Sequence, residues 1–434
     1  MILIHIQKIT PRVLYTFKHI CKRMLGIPVR FTSKIEEFIA FEGAKFSYGK
    51  HPLGKELYFQ SSSLLFEQGI NEIVIQVKKW EETVGLFPVS HKESAFPFDV
   101  FAATFYLLSR YEEYLPHKKD SYGRFMAEES VAFTHNFLEE PVVDIWVQKF
   151  KQVLLEKFPQ LVFDSKPFAI TPVIIVSQTF AYYQKGIIRT LGGVFKDITN
   201  GTITNVIERI KVLLNLKKDP YNTFDFIIKL QKESKKQGSV FFSLGDYSNY
   251  EKNVVFNNET HKKLIKHVSD YLQVGTKISF DALDQTGFIK KEKKRMESII
   301  HRPVQQVLCS FFKINLPHVY RSFIELEIFE DYSMGYSGYT GFRAGTCSPF
   351  LFYDLDYEIQ TPLTVYSFCF APRNFSAAVK DEEILLKLDK MIAKIREMNG
   401  VFIPMFTNGI LGGRDTNRDW KKILSYVWKI DETR

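Results

Sequence analysis

Beyond residue 170 the chain settles into short apolar runs separated by longer amphipathic ones. The runs "PVIIVS" (172–177), "SVFFSL" (239–244), "VGTKISF" (274–280), "VQQVLCSFF" (304–312), "IFEDYSM" (328–334), "TVYSFCF" (364–370) and "VFIPMFTN" (401–408) are rich in β-branched and aromatic residues, which predicts strands. Between them, "HKKLIKHVSDYLQ" (261–273) places Leu264, Ile265, Val268, Tyr271 and Leu272 on one helical face. "EEILLKLDKMIAKIREM" (382–398) likewise aligns Ile384, Leu385, Leu388, Met391, Ile392 and Ile395. Buried strands alternating with helices predict an α/β fold on a parallel sheet, either closed as a barrel or doubly wound. In both cases the functional residues belong at the C-terminal ends of the strands.

The first 165 residues read differently. "LYFQSSSLLFEQG" (57–69) and "NEIVIQV" (71–77) alternate as strands do, whereas "FDVFAATFYLLSRYEEYL" (98–115) predicts a buried helix. In that helix Val100, Phe101, Phe105, Leu107 and Leu108 cover much of the circumference. "EPVVDIWVQKFKQVLLEKF" (140–158) predicts an amphipathic helix, and Pro159 and Pro167 then mark a junction. The expectation is an α+β domain over 1–165 followed by an α/β domain over 166–434. A chain of 434 residues exceeds the roughly 250–300 at which one core stops growing, which agrees.

With 45% hydrophobic residues the chain can build large cores without metal or disulfide support. Its net charge of +9 would suit an anionic partner. The lysines, however, are scattered or ride on helix faces, as in "IKKEKKRMES" (289–298), and no nucleic-acid recognition signature accompanies them. Nucleic acid is therefore not the expected partner. Cys21, Cys309, Cys347 and Cys369 are widely spaced and form no CxxC pair, which fits a reducing compartment and predicts a cytoplasmic protein. The start, "MILIHIQKITPRVLYTFKHICKRMLG", has no secretory pattern, and no run reaches the 18 or so apolar residues of a spanning helix. Its amphipathic, basic character leaves weak membrane-surface contact open.

The strand ends can then be read off. They deliver Ser177 and Gln178, Gly245 and Asp246, Lys277 and Ser279, Cys309 and Ser310, Glu330 and Asp331, and Thr407 and Asn408; the loop "GFRAGTCSPF" brings Arg343. All ten histidines lie at or before His318, so the last two predicted strands have none. Adjacent Glu112 and Glu113 point about 100° apart on a helix, so Arg110 with Glu113 is the simpler pair. His261 and His267, six apart, do not share a helix face and are not read as metal ligands. His117 and Asp120 have no partner evident from sequence.

Several unusual strings recur in an order that resembles the polysaccharide deacetylase (NodB-homology) family, in the bacterial branch where a deacetylase-like barrel follows an uncharacterised N-terminal domain. They are "FDVFAATFYLLSRYEEYLPHKKDSYGRF" (98–125), "FEDYSMGY" (329–336), "GFRAGTC" (341–347), "FYDL" (352–355) and "NRDWKKIL" (417–424). The resemblance spans nearly the whole chain. It implies a distorted (β/α) barrel over 166–434 and, for the family, metal-dependent N-deacetylation of carbohydrates.

The departures fall on the reactive groups. The family's paired aspartates on the first strand fall on Ile175 and Ser177, and its metal-binding histidine on Lys277. The late histidine falls on Thr407, and an Arg-Gln-His string on Leu308, Cys309 and Ser310. Metal-assisted amide hydrolysis needs a divalent ion to polarise the carbonyl and acidify water, with a base and an acid nearby. Ile175 can neither coordinate nor accept a proton, and a lysine repels a divalent cation. The expectation is a degenerate enzyme with no metal cofactor that binds a saccharide, a sugar-linked ligand or a partner protein. Its polar cleft would be lined by Ser177, Gln178, Lys277, Ser279, Glu330, Asp331, Arg343, Thr407 and Asn408.

Two other readings remain open at this point. One is an active carbohydrate deacetylase with a site rebuilt on Asp331, Asp246 or the N-terminal domain. The other is a structural or regulatory partner of an active paralogue. Bland roles compete for the same residues: Lys277 as a lysine snorkelling to solvent, and Glu330 and Asp331 as partners of Arg343 at the rim. Ser177, Gln178, Ser279 and Thr407 could equally be hydrogen-bonding residues of strand ends. For Tyr332, Tyr336, Phe342 and Tyr353, core packing competes with stacking on sugar rings.

Overall fold

The computed structural model describes residues 1–234, 236–413 and 418–431. Its first strand, β1 (Ile2–Ile6), is buried at every position and pairs in parallel with β2 (Val29–Thr32) and β3 (Lys45–Gly49). With β4 (Leu57–Gln60) they form a four-stranded parallel sheet. This corrects the membrane-surface reading of the opening segment: Ile2, Leu3, Ile4 and Ile6 are core residues. Thr10 then caps the helix Pro11–Phe17 by accepting from the Val13 amide, with Pro11 in its first turn. The run 71–77 is not a strand. Only Val77 enters the antiparallel hairpin of β5 (Val77–Trp80) and β6 (Thr83–Leu86), and Val74 points into solvent.

The buried helix is Val100–Leu108, enclosed on all sides. Asp99 caps it by accepting from the Phe101 and Ala102 amides, and also holds Tyr48 and Ser62. The helix stops before Arg110, whose φ of 53° is left-handed, so Glu112 and Glu113 lie on a separate 3-10 turn. One hydrophobic core surrounds this helix and continues without a gap from β1 to Ile278, Val307, Tyr320 and Val365.

Past the junction, β7 (Ala169–Ile170) pairs with β15 (Val401–Phe402). The main sheet holds β8 (Val173–Val176), β9 (Ser239–Ser243), β10 (Gln273–Ile278), β11 (Gln306–Cys309), β12 (Glu330–Met334), β13 (Phe350–Asp354), β14 (Ile359–Ser367) and β16 (Met405–Thr407). Their order is β13-β14-β12-β11-β10-β9-β8-β16, and every neighbouring pair except β13 with β14 is parallel. The parallel strands match the apolar runs read from sequence; the antiparallel β13 was not among them.

The sheet curls until its far sides meet at a single parallel bridge between Phe370 and Pro404, where the Met405 amide donates to the Phe370 carbonyl at 2.9 Å. Pro404 lacks an N–H and splits the predicted run 401–408 into β15 and β16. Inward-facing residues fill the enclosed space: Val173, Ile175, Phe241, Leu308, Tyr332 and Met405 are among them. Gly275 makes room for Phe241, because a Cβ there would lie 2.5 Å from that ring. The interior is a packed core.

Candidate functional site

Lys277 stands near the end of β10 and is only 5% exposed. Its Nζ donates to Glu251 Oε1 at 2.8 Å and to Ser310 Oγ at 2.5 Å. Ser310 Oγ also reaches Glu251 Oε1, at 2.9 Å, and Ser243 Oγ donates to Glu251 Oε2 at 2.6 Å. Four strand-end and loop residues therefore close a neutral, buried cluster over the mouth of the sheet. This corrects the reading of Lys277 as a solvent-directed lysine: a buried ammonium is tolerated when a counter-ion and further hydrogen bonds replace its water. Glu251 is held in place by its loop, where Asn253 donates to the Ser243 carbonyl and accepts from the Thr179 and Val254 amides. Glu251 was not foreseen, because its loop, "DYSNYEKN", has no periodicity that would aim a side chain.

A divalent metal does not fit these residues. Ile175 is part of the apolar filling beside Phe241 and Leu308, and the Lys277 ammonium already holds the carboxylate nearest the mouth. Among the described residues no group of three or more His, Cys, Asp and Glu side chains is arranged to hold an ion.

The remaining strand-end residues divide into separate places. Gln178 Oε1 accepts from Lys185 Nζ at 2.7 Å, and its carbonyl accepts from Asn408 Nδ2 at 2.8 Å. Asn408 also donates to the Tyr221 carbonyl, and Thr407 caps the short helix Asn408–Leu411 through the Ile410 amide. Gln178, Thr407 and Asn408 thus tie β8 to β16, with Ser177 half-buried beside them. Asn417, the first residue of the string at 417–424, lies outside the described residues.

Ser279 faces Glu292, donating to it from both its amide, at 2.9 Å, and its hydroxyl. Burial raises the Glu292 carboxyl to about 7; the Ser279 bonds pull it down and neighbouring Glu251 pushes it up. Asp246 is exposed and gripped by Lys291 and Arg295, each at 2.7 Å, and those bonds hold its carboxyl below the usual range. An ionised, doubly paired surface carboxylate is a poor general base, whatever its position.

Glu330 and Asp331 do not join the mouth, because they open β12 instead of ending it. Glu330 accepts from Gln306 and Tyr332 at the opposite end of the sheet. Asp331, on the other face, is fully buried and accepts from Tyr320, at 2.7 Å, and from the amide and hydroxyl of Ser333. Burial lifts it to about 6 against those bonds. Neither carboxylate pairs with Arg343, contrary to the expectation. Arg343 instead makes a two-pronged contact with Glu113, Nε at 2.8 Å and Nη2 at 2.6 Å. Arg110 adds contacts to Glu113 and Glu112. Burial alone would raise Glu113, but the two guanidiniums bring it down to about 2. The Arg110–Glu113 pair read from sequence is present, as part of this larger buried network.

Beside the mouth, the loop 120–128 and the turn 335–339 enclose a cavity of about 220 Å³. Arg124, Phe125, Phe312, Tyr336, Tyr339 and Arg343 line it. Arg124 fixes the wall by bonding Asp120, the Phe311 carbonyl and Ser337, which also gives Asp120 its partner; His117 Nδ1 lies 2.7 Å from the Leu115 carbonyl. Tyr336 is 5% exposed, and its buried hydroxyl has no hydrogen-bond partner among the described residues. Phe311 and Phe312, directly after Ser310, both have φ of 57°, a strained conformation for side chains of that size. The strain sits between the Lys277 cluster and the cavity.

The sequence profile of a family of unknown function (DUF7033) matches residues 2–159, well under half of the chain. No curated protein matches the sequence. Among solved structures, one described as "putative polysaccharide deacetylase from Mycobacterium smegmatis" aligns at 12% identity with a TM-score of 0.39. The alignment covers 62% of this chain and 86% of that one.

Proposed function

We propose that residues 166–434 form a polysaccharide-deacetylase-like domain that has lost metal-dependent hydrolysis, and that the protein acts by binding a carbohydrate or sugar-linked ligand. The observation that carries this reading is the Lys277–Glu251 pair: a buried cation, already neutralised from within, stands over the packed mouth of the sheet. In this reading residues 1–165 are an accessory domain that supplies Glu113 and the loop 120–128. The ligand's place is the cavity beside the mouth. Aromatic faces from Phe125, Phe312 and Tyr336 can pack on a sugar ring, and Arg124 can meet its oxygens.

Titration calorimetry with N-acetylated sugar oligomers, run alongside an assay for released acetate, tests it. The expected result is binding without acetate release, weakened about tenfold in Phe312→Ala by loss of a stacking face. Acetate release abolished by Asp331→Asn or Asp246→Asn would replace this reading with a rebuilt hydrolase.

A further inference from the structure

We infer that the helices Ile187–Thr199 and Ile203–Leu213 form an anchor that lies on the surface of an anionic lipid bilayer. Their polarity is inverted. In a helix packed on a globular core the apolar stripe faces inward. Here no residue of the first helix is buried, and its large apolar side chains point away from the protein. Ile188 is 88% exposed and Phe195 71%, with Leu191 and Ile198 exposed beside them. At 3.6 residues per turn these four fall within an arc of about 80°. Ile203 and Ile207 continue the exposed stripe on the second helix.

The inner side of the pair is a narrow face that mixes one ion pair with a small apolar contact, and that is what holds it to the protein. Arg209 pairs with Asp197 at 2.6 Å and lies over the Tyr182 ring. Gly193 lets the helices close on Arg209, since a Cβ there would be 2.5 Å from its Nη1. Val212 packs on Ala181 and Tyr182. The outward apolar stripe is therefore not a side effect of a different buried face.

Charge selects the occupant. Residues 185–218 carry seven Lys and Arg against two acids, Asp197 and Glu208. Both acids are neutralised inside the segment, by Arg209 and Lys217. Lys196 and Lys211 are exposed on the two helices. A second copy of the chain would bring the same excess of cations against this one. An apolar stripe flanked by exposed lysines matches instead a surface of acyl chains under anionic headgroups. No helix among the described residues is long and apolar enough to cross a membrane, so the contact is interfacial.

The test is co-sedimentation of the full chain with vesicles of equal parts phosphatidylglycerol and phosphatidylcholine, and with phosphatidylcholine alone. Wild type is compared with Leu191→Ser/Phe195→Ser and with Lys196→Glu/Lys211→Glu; all four positions are exposed, and thermal melts followed by circular dichroism check the folding of each variant. Binding to the anionic vesicles is expected, falling by more than about tenfold in either double variant. Absence of sedimentation with anionic vesicles would overturn the inference, as would equal binding by the wild type and the Leu191→Ser/Phe195→Ser variant. So would a lipid-free dimer that the same variant dissociates, which would make this face an interface between copies.

Discussion

A lysine at the end of a central strand survives burial here because Glu251 and Ser310 replace its water. Neutralising one partner alone should be costly, because it leaves the other charge buried without a counter-ion. Glu251→Gln is expected to lose about 3–5 kcal/mol of stability in urea denaturation. A Lys277→Met/Glu251→Leu double variant should recover most of that loss, and a double variant no better than Glu251→Gln would show that the pair is not the unit we describe. Glu292 gives a second residue-level prediction. Its carboxyl, ordinarily at 4.5, is raised by burial to about 7, so between those values the native chain keeps a proton that the unfolded chain has released. Stability from this group therefore falls as pH rises through that window and is constant above it, by on the order of 3 kcal/mol. His19 and His261 act oppositely: burial lowers them to about 3 and about 4, so their contribution rises with pH up to 6.5. The wild-type curve mixes these effects, whereas its difference from Glu292→Gln isolates the glutamate. That difference should slope between pH 4.5 and 7; a flat one contradicts the assignment. Lys277, Ser310 and Ser279 could be placed from the apolar runs they follow. Glu251, which completes the site, could not, since nothing local aims it; Glu113 was legible as the partner of Arg110 but not of Arg343, 230 residues away.

Strands buried on both faces announce themselves as apolar runs, which is why β8 through β12 were legible. The elements that were missed had something in the sequence that masked burial. β1 is followed by lysines and arginines that gave the opening segment an amphipathic look. β13 is an antiparallel edge strand outside the βα rhythm. The run 71–77 alternated correctly but found no neighbouring strand until Val77. The central helix was legible from its circumference of apolar residues, but its end was not, because Arg110 is a left-handed residue other than glycine. The helix depends on Asp99, which satisfies two first-turn amides as well as Tyr48 and Ser62. Asp99→Ala is expected to cost about 2–4 kcal/mol, the loss of a cap plus that of buried polar partners. A change below about 0.5 kcal/mol in the denaturation midpoint analysis would mean that the cap is not needed to hold the helix.

At the scale of the whole molecule, the two halves read from the sequence share a core and an ion-pair network. Asp144 accepts from the Cys347 amide and the Ser348 hydroxyl, Arg124 reaches the ends of β11 and β12, and Glu113 holds Arg343. The four cysteines are buried and free. Strings of residues near 110 and near 343, read separately as parts of two domains, become one buried site only in three dimensions. Lys277 at the mouth of the sheet belongs to an internal ion pair with Glu251, which we propose takes the place of a metal. This is tested most directly by measuring the metal retained per chain after incubation with zinc, cobalt and nickel and removal of free ion. We predict a content far below one ion per chain, unchanged in Lys277→Met. One tightly held ion per chain, lost when Glu251 is replaced by glutamine, would show that the mouth opens to a cation and would contradict the account.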